Sequence, residues 1–144
     1  MPITKPLYTA HSSATGGRNG SVRTRDGSFA AELTIPKEMG GPGRAGAINP
    51  EILFASGYAA CFGSAVDHVA KQKKLAVGEI RIDADVTIGT QADGGFGLKV
   101  ALTAVLKGLS QEDADRLVHE ADKICPYSNA IRGNVEVALT VRTA

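Results

Sequence analysis

Residues 49–73 read NPEILFASGYAACFGSAVDHVAKQK, and every other segment has to be arranged around them. Asn49 in the N-cap position, Pro50 at the first helical position and Glu51 in the first turn mark a helix start. The helix is predicted over Pro50–Lys73, roughly 36 Å long at ~1.5 Å per residue. From Ile52 to Ala70 its side chains are nearly all apolar or small, including Ala55, Gly57, Ala59, Ala60, Gly63, Ser64 and Ala65, with charge only at Asp67 and from Lys71 onward. A helix that is apolar all round is buried all round. A chain of 144 residues has little material to wrap such a helix alone, and small residues let another helix approach closely. The helix is therefore expected at the centre of a homodimer.

Strand patterns lie on both sides of it. Phe29, Ala31, Leu33 and Ile35 alternate with Ala30, Glu32 and Thr34, the period of a half-buried strand. Asp26-Gly27 before them is a hairpin turn, so Ser21–Arg25 should pair with Ser28–Ile35. An earlier strand is predicted near Leu7–Ser13. Residues 36–48, rich in Gly and Pro, read as a mobile loop. Beyond the helix, Ile80, Ile82, Ala84, Val86 and Ile88 form one alternating strand and Phe96 to Leu106 a second, an antiparallel hairpin around 89–95. Ser110-Gln111-Glu112-Asp113 resembles a capping box. The helix it starts carries Ala114, Leu117, Val118, Ala121, Ile124 and Cys125 on one stripe and stops before Pro126. A bend over Tyr127–Asn134 leads to a last strand with Val135, Val137, Leu139 and Val141 on one face. The class is α+β: antiparallel sheets on two main helices, in a single domain spanning 1–144.

Apolar residues make up 43% and charged residues 22%, which excludes a disordered, collagen-like or coiled-coil chain. Sixteen basic and fifteen acidic side chains leave +1, so bulk charge points to neither nucleic acid nor a membrane surface. No uninterrupted apolar run reaches the ~18 residues of a membrane span. Met1-Pro2-Ile3-Thr4-Lys5-Pro6 lacks the charged and apolar regions of a signal peptide, so the expected location is the cytoplasm. In that reducing setting the two cysteines, Cys61 and Cys125, are expected as thiols rather than as a static disulfide. Each could still be an inert core cysteine. His11, His68 and His119 have no ligand spacing, and no metal site is expected.

Three motifs carry a resemblance. The segment 49–62, NPEILFASGYAACF, the segment CPYSNA at 125–130 with Arg132-Gly133-Asn134, and the bend Gly16-Gly17-Arg18-Asn19-Gly20 occur in order across most of the chain. Together they resemble the organic hydroperoxide resistance branch of the osmotically inducible protein C superfamily. Ile131 departs from that pattern, where Thr is commoner. The resemblance implies an intertwined homodimer and a thiol peroxidase that reduces alkyl and fatty-acid hydroperoxides. It makes Cys61 the peroxidatic cysteine, Cys125 the resolving one, and Arg18 and Glu51 the activating pair. It implies no bound cofactor and regeneration by a dithiol, dihydrolipoamide carried on a lipoylated protein.

Physical chemistry constrains each role. The thiolate is the nucleophile, and burial raises a thiol pKa, so a cation has to be supplied. Arg18 would do so and would also stabilise the departing alkoxide, with Glu51 holding it by a bidentate contact. Glu51 and Cys61 lie about 15 Å apart along one helix. The Arg18–Glu51 pair is therefore expected to serve Cys61 of the other subunit, which puts the sites at the dimer interface. Met39, Ile48, Ile52, Phe54, Tyr58 and Phe62 are the candidate walls of an apolar substrate pocket, Met39 and Ile48 being the lid candidates. Two rival readings remain at this point: a non-catalytic binder of oxidised lipids and a peroxide sensor.

Overall fold

The computed structural model describes all residues from Met1 to Ala144. They fall into two compact units, Met1–Pro50 and Glu51–Ala144.

The first unit is a three-stranded antiparallel meander of β1 (Ser12–Thr15), β2 (Ser21–Thr24) and β3 (Ala30–Glu32). The predicted hairpin is present, with Val22 opposite Ala31, but its second strand covers only Ala30–Glu32 of the expected Ser28–Ile35. Gly27 takes φ 76° in its turn, and the Asp26 carboxylate accepts hydrogen bonds from the Ser28 backbone N–H (2.9 Å) and hydroxyl (2.7 Å). Those bonds hold the Asp26 carboxyl down at about 2. The strand predicted at Leu7–Ser13 begins only at Ser12. Leu7 and Tyr8 are exposed, so the apolar side chains that suggested it have nothing in the chain to cover them.

Between β1 and β2, a 3-10 turn at Gly17–Asn19 carries Arg18. Gly20 is obligatory here, since a Cβ on it would sit 1.7 Å from the Thr15 carbonyl oxygen. Asn19 Oδ1 accepts from the Ile35 N–H at 2.9 Å, tying the turn to the start of the glycine-rich loop. That loop, expected to be mobile, is stitched down. The Arg44 guanidinium donates to the Leu33 carbonyl at 2.7 Å, Arg44 N–H donates to Thr34 Oγ1, and Ile48 N–H donates to the Glu32 carbonyl. It also holds one 3-10 turn, Lys37–Met39.

The second unit holds α1 (Pro50–Gln72), β4 (Ile80–Thr90), β5 (Phe96–Leu106), α2 (Gln111–Ile124), α3 (Pro126–Ile131) and β6 (Glu136–Thr143). β4 and β5 form the expected antiparallel hairpin, eleven residues on each side. β6 departs from the antiparallel expectation: it lies parallel to β5, with Leu102 opposite Leu139. The cause is the connection, because a helical crossover returns the chain to the end from which β5 started. α2 begins as predicted, with Ser110 Oγ accepting from the Asp113 N–H at 3.1 Å. The segment read as a bend contains a short helix, α3, with Pro126 at its first turn, where a missing N–H costs nothing.

Within the single chain α1 is covered on one side only. Tyr58, Phe62, Ala65, Val66, Val69 and Ala70 are buried, which is a single face. They share one core with Val100, Leu102, Ala104 and Leu106 of β5 and with Ala114, Leu117, Val118 and Ala121 of α2. Ile52, Ser56, Ala60 and Ser64 on α1 are exposed. Beside them a groove of about 430 Å³ is lined by Ala59, Ala60, Gly63, Ser64 and Asp67 together with Gly78, Ile80 and Ile82. By length and composition alone α1 could cross a membrane. The core helix of a folded unit passes the same test, and that is how the Tyr58–Ala70 face is used.

Because the folded Asp26 pKa lies below the ordinary carboxylate value near 4, its contribution to stability is complete above about pH 4 and is lost as pH falls toward 2. Carboxyl-carbon NMR titration should find Asp26 at about 2, and Ser28→Ala should raise it toward the ordinary value. An unshifted Asp26 in the wild-type protein would show that the turn lacks this hydrogen bonding.

Candidate active site

Helical periodicity on α1 decides how open Cys61 is. It follows Tyr58 by three residues and precedes Ala65 by four, so it lies at the margin of the buried face and is partly exposed. Cys125 ends α2 and caps α3, with an extended backbone (φ −63°, ψ 121°), and is fully buried. Both are free thiols. The fold packs Cys61 against the core that contains the sequence-distant Cys125, and Cys125 and the Tyr127 backbone both act on the Cys61 sulfur.

The electrostatics of Cys61 follow from these neighbours. Burial pushes its pKa up, and the adjacent Cys125 adds to the rise through both charge and hydrogen bonding. The Tyr127 N–H works in the opposite direction, but burial and Cys125 outweigh it. Within this unit the sulfur therefore favours the thiol.

An aromatic cluster adjoins the thiols. Tyr58 meets Phe54 edge to face with centroids 6.0 Å apart, Phe62 at 6.3 Å and Tyr127 at 5.9 Å; Phe54 meets Tyr127 at 6.3 Å. Gly57 makes room for Tyr127, since a Cβ there would stand 3.1 Å from the Tyr127 hydroxyl. Burial raises the Tyr58 pKa, so its phenol is neutral at physiological pH, and its hydroxyl is bonded to Ser128 Oγ at 2.7 Å. At the far end of α3, Arg132 donates to Asn129 Oδ1 (2.5 Å) and to the Asp122 carbonyl (2.7 Å), clamping α3 to α2.

Of the candidate residues, Phe54 and Tyr58 stand with the two cysteines, whereas Phe62 is fully buried in the core. Glu51 lies in the first turn of α1. Arg18, Met39 and Ile48 belong to the first unit, Arg18 half-buried on its turn and Met39 exposed. Tyr127 and Ser128 are additions that sequence reasoning did not single out as site residues. Their signal was their place in the CPYSNA motif, two and three residues past Cys125. His11, His68 and His119 are exposed, and no three His, Cys, Asp or Glu side chains gather as a metal-binding group. Chemically, a partly open thiol beside a closed one is the arrangement a two-electron oxidation turns into a disulfide.

Known proteins place this arrangement in a family. Residues 41–140 match the family described as OsmC-like protein. The chain is 50% identical over 138 residues to an organic hydroperoxide resistance protein of Xanthomonas axonopodis pv. citri, covering 95% of this chain and 96% of that one. It superposes on an organic hydroperoxide resistance protein OsmC from Legionella pneumophila with a TM-score of 0.91 at 50% identity, covering 96% of this chain and 99% of that one. For OhrB of Bacillus subtilis the TM-score is 0.87 at 40% identity, covering 95% and 100%. With the two thiols, their aromatic surround and this similarity along nearly the whole chain, the protein belongs to the OsmC-like family, in its organic hydroperoxide resistance branch.

Proposed function

We propose that the protein is a cysteine-based peroxidase that reduces organic hydroperoxides in defence against oxidative stress. The observation that carries this reading is the contact between a partly exposed Cys61 and a fully buried Cys125 beside an aromatic cluster. Relatives at up to 50% identity bear the name organic hydroperoxide resistance protein, which supports the same reading.

In the proposed cycle the Cys61 thiolate attacks a peroxide oxygen. The O–O bond breaks, Cys61 becomes a sulfenic acid, and the alkoxide leaves and takes up a proton as the alcohol. The Cys125 thiol then displaces the sulfenic oxygen as water, forming the Cys61–Cys125 disulfide. A dithiol returns both sulfurs to thiols by two exchange steps and is itself oxidised to a disulfide. Dihydrolipoamide on a lipoylated protein is the reductant the family resemblance supports, and the cytosol is the compartment where such a cycle would run. Phe54, Tyr58 and Tyr127 give the site an apolar wall, which favours alkyl and fatty-acid hydroperoxides over hydrogen peroxide, since only the former gain from burial. Met39 and Ile48 are kept as lid candidates.

The cation that ionises Cys61 is assigned to Arg18, held by Glu51, both from a second copy of the chain. The support is spacing: Glu51 is ten residues from Cys61 on α1, about 15 Å along its axis. The exposed small-residue face of α1 and its groove support a homodimer built on that helix.

Three outcomes test this reading. Wild type should turn over tert-butyl hydroperoxide with dihydrolipoamide as reductant, faster than hydrogen peroxide, and Cys61→Ser should abolish turnover. Cys125→Ser should complete one reduction and then accumulate sulfinic acid, seen by mass spectrometry. A Cys61→Ser variant that still turns over would sink the proposal.

Arg18→Met should move the Cys61 thiolate titration to higher pH by about 1–3 units and slow peroxide reduction at neutral pH at least about tenfold. The signs agree: losing a cation destabilises the anion, so more alkaline conditions are needed. An unmoved pH profile would remove Arg18 from the mechanism.

Ala60→Arg, which places charge on the exposed face of α1, should yield monomers by analytical ultracentrifugation and lose hydroperoxide turnover. Full activity in a monomer would refute the shared site.

A further inference from the structure

We infer that the hydrogen bond between Tyr58 and Ser128 is the latch that holds the Cys125 thiol against Cys61, so that these two hydroxyls govern disulfide formation. The place of this step in a cycle rests on the peroxidase reading above. The latch itself concerns two thiols and can be tested without peroxide.

Four residues form two adjacent rungs. Tyr58 stands three residues before Cys61 on α1, and Ser128 stands three residues after Cys125 on α3. Helical residues three apart share a face. Tyr58 bonds Ser128, and Cys61 contacts Cys125. The two segments thus pass each other in opposite senses, with an oxygen pair and a sulfur pair about 4.5 Å apart along α1.

The resolving sulfur needs such a support because Cys125 sits in a joint, not in a regular helix. Its backbone is extended between α2 and α3, so where its thiol points depends on how α3 is docked. α3 has six residues, too few to be stable by itself. Arg132 docks it to α2. The Tyr58–Ser128 bond docks it to α1, the helix that carries Cys61, and Tyr127 packing on Tyr58 and Phe54 forms the apolar half of that contact. Apolar contact tolerates sliding, whereas a disulfide needs its Cα atoms within roughly 4.4–6.8 Å. Tyr58 is 0% and Ser128 3% exposed, so neither hydroxyl can exchange its partner for water. The bond therefore supplies a directional constraint one turn from the sulfurs.

Disulfide formation from the sulfenic acid joins the Cys125 sulfur to the Cys61 sulfur and breaks the S–O bond. The hydroxyl leaves with the thiol proton as water. Attack on the peroxide involves Cys61 alone. A loosened latch should therefore slow the second step, and the waiting sulfenic acid should meet more peroxide and pass to sulfinic acid.

The test uses reduced full-length protein and the variants Tyr58→Phe, Ser128→Ala, Ser128→Thr and the Tyr58→Phe/Ser128→Ala double. Diamide, which removes two electrons and two protons from a dithiol, should form the Cys61–Cys125 disulfide about five- to tenfold more slowly in each of the first two, the factor of one buried hydrogen bond. Ser128→Thr should recover the wild-type rate, and the double variant should be no slower than either single. With tert-butyl hydroperoxide, Ser128→Ala should form sulfenic acid within about twofold of the wild-type rate and accumulate more sulfinic acid. Wild-type disulfide rates in Tyr58→Phe and Ser128→Ala overturn the latch, as does equal slowing of both steps in Ser128→Ala. If Tyr58→Phe does not fold, Ser128→Ala, which deletes one oxygen, decides. Wild type inert to hydroperoxide, with diamide rates that fall as stated, would remove the peroxidase reading and leave the latch standing.

Discussion

One-sided packing of α1 is the constraint on which the rest depends. Tyr58, Phe62, Ala65, Val66, Val69 and Ala70 are committed to a core shared with β5 and α2. That fixes the rotation of the helix about its axis, and the rotation in turn leaves Cys61 at the margin, partly open, while Cys125 at the α2–α3 joint is closed off. Two thiols of the same chemistry thereby acquire different access to solvent. In the proposed cycle that difference assigns their roles: the open sulfur meets the substrate and the closed one meets only its neighbour.

The same packing imposes an electrostatic cost. Lowering the local polarity around Cys61 favours its protonated form, and the nearby Cys125 reinforces the effect. The Tyr127 N–H offsets only part of it. In the proposed cycle the balancing positive charge is Arg18 of a second copy. The exposed small-residue side of α1 belongs to the same argument, because a face that stays uncovered in one chain is where a second copy can approach closely. Burial on one side of the helix and openness on the other are thus two halves of one reading of function.

Much of this was legible in the residues. The alternation from Ile80 to Ile88 and from Phe96 to Leu106 specified the β4–β5 hairpin, because period 2 has one way to bury its apolar face. Ser110 and Pro126 bounded α2 through local hydrogen bonding and ring geometry. The Asp26-Gly27 turn was equally local. What failed to show was either too short to carry a pattern or non-local. Residues 126–131 look like a bend because six residues carry too little periodicity to announce a helix. The parallel pairing of β6 depends on where a crossover ends, which no strand pattern encodes. The glycine-rich loop reads as slack by composition, yet Arg44 and Asn19 tie it to partners at Leu33 and Ile35.

By itself, then, the sequence determined the elements, their buried faces and the two sulfurs worth watching, since capping, turn chemistry and hydrophobic period act over a few residues. Only the tertiary structure decided that Cys61 would lie against Cys125, that Tyr58 would find Ser128 seventy residues away, and that Tyr127 would complete the aromatic wall. The physical reason is that each of these contacts joins elements whose relative docking comes from filling a common core, and the shape of that core is a property of all its side chains together.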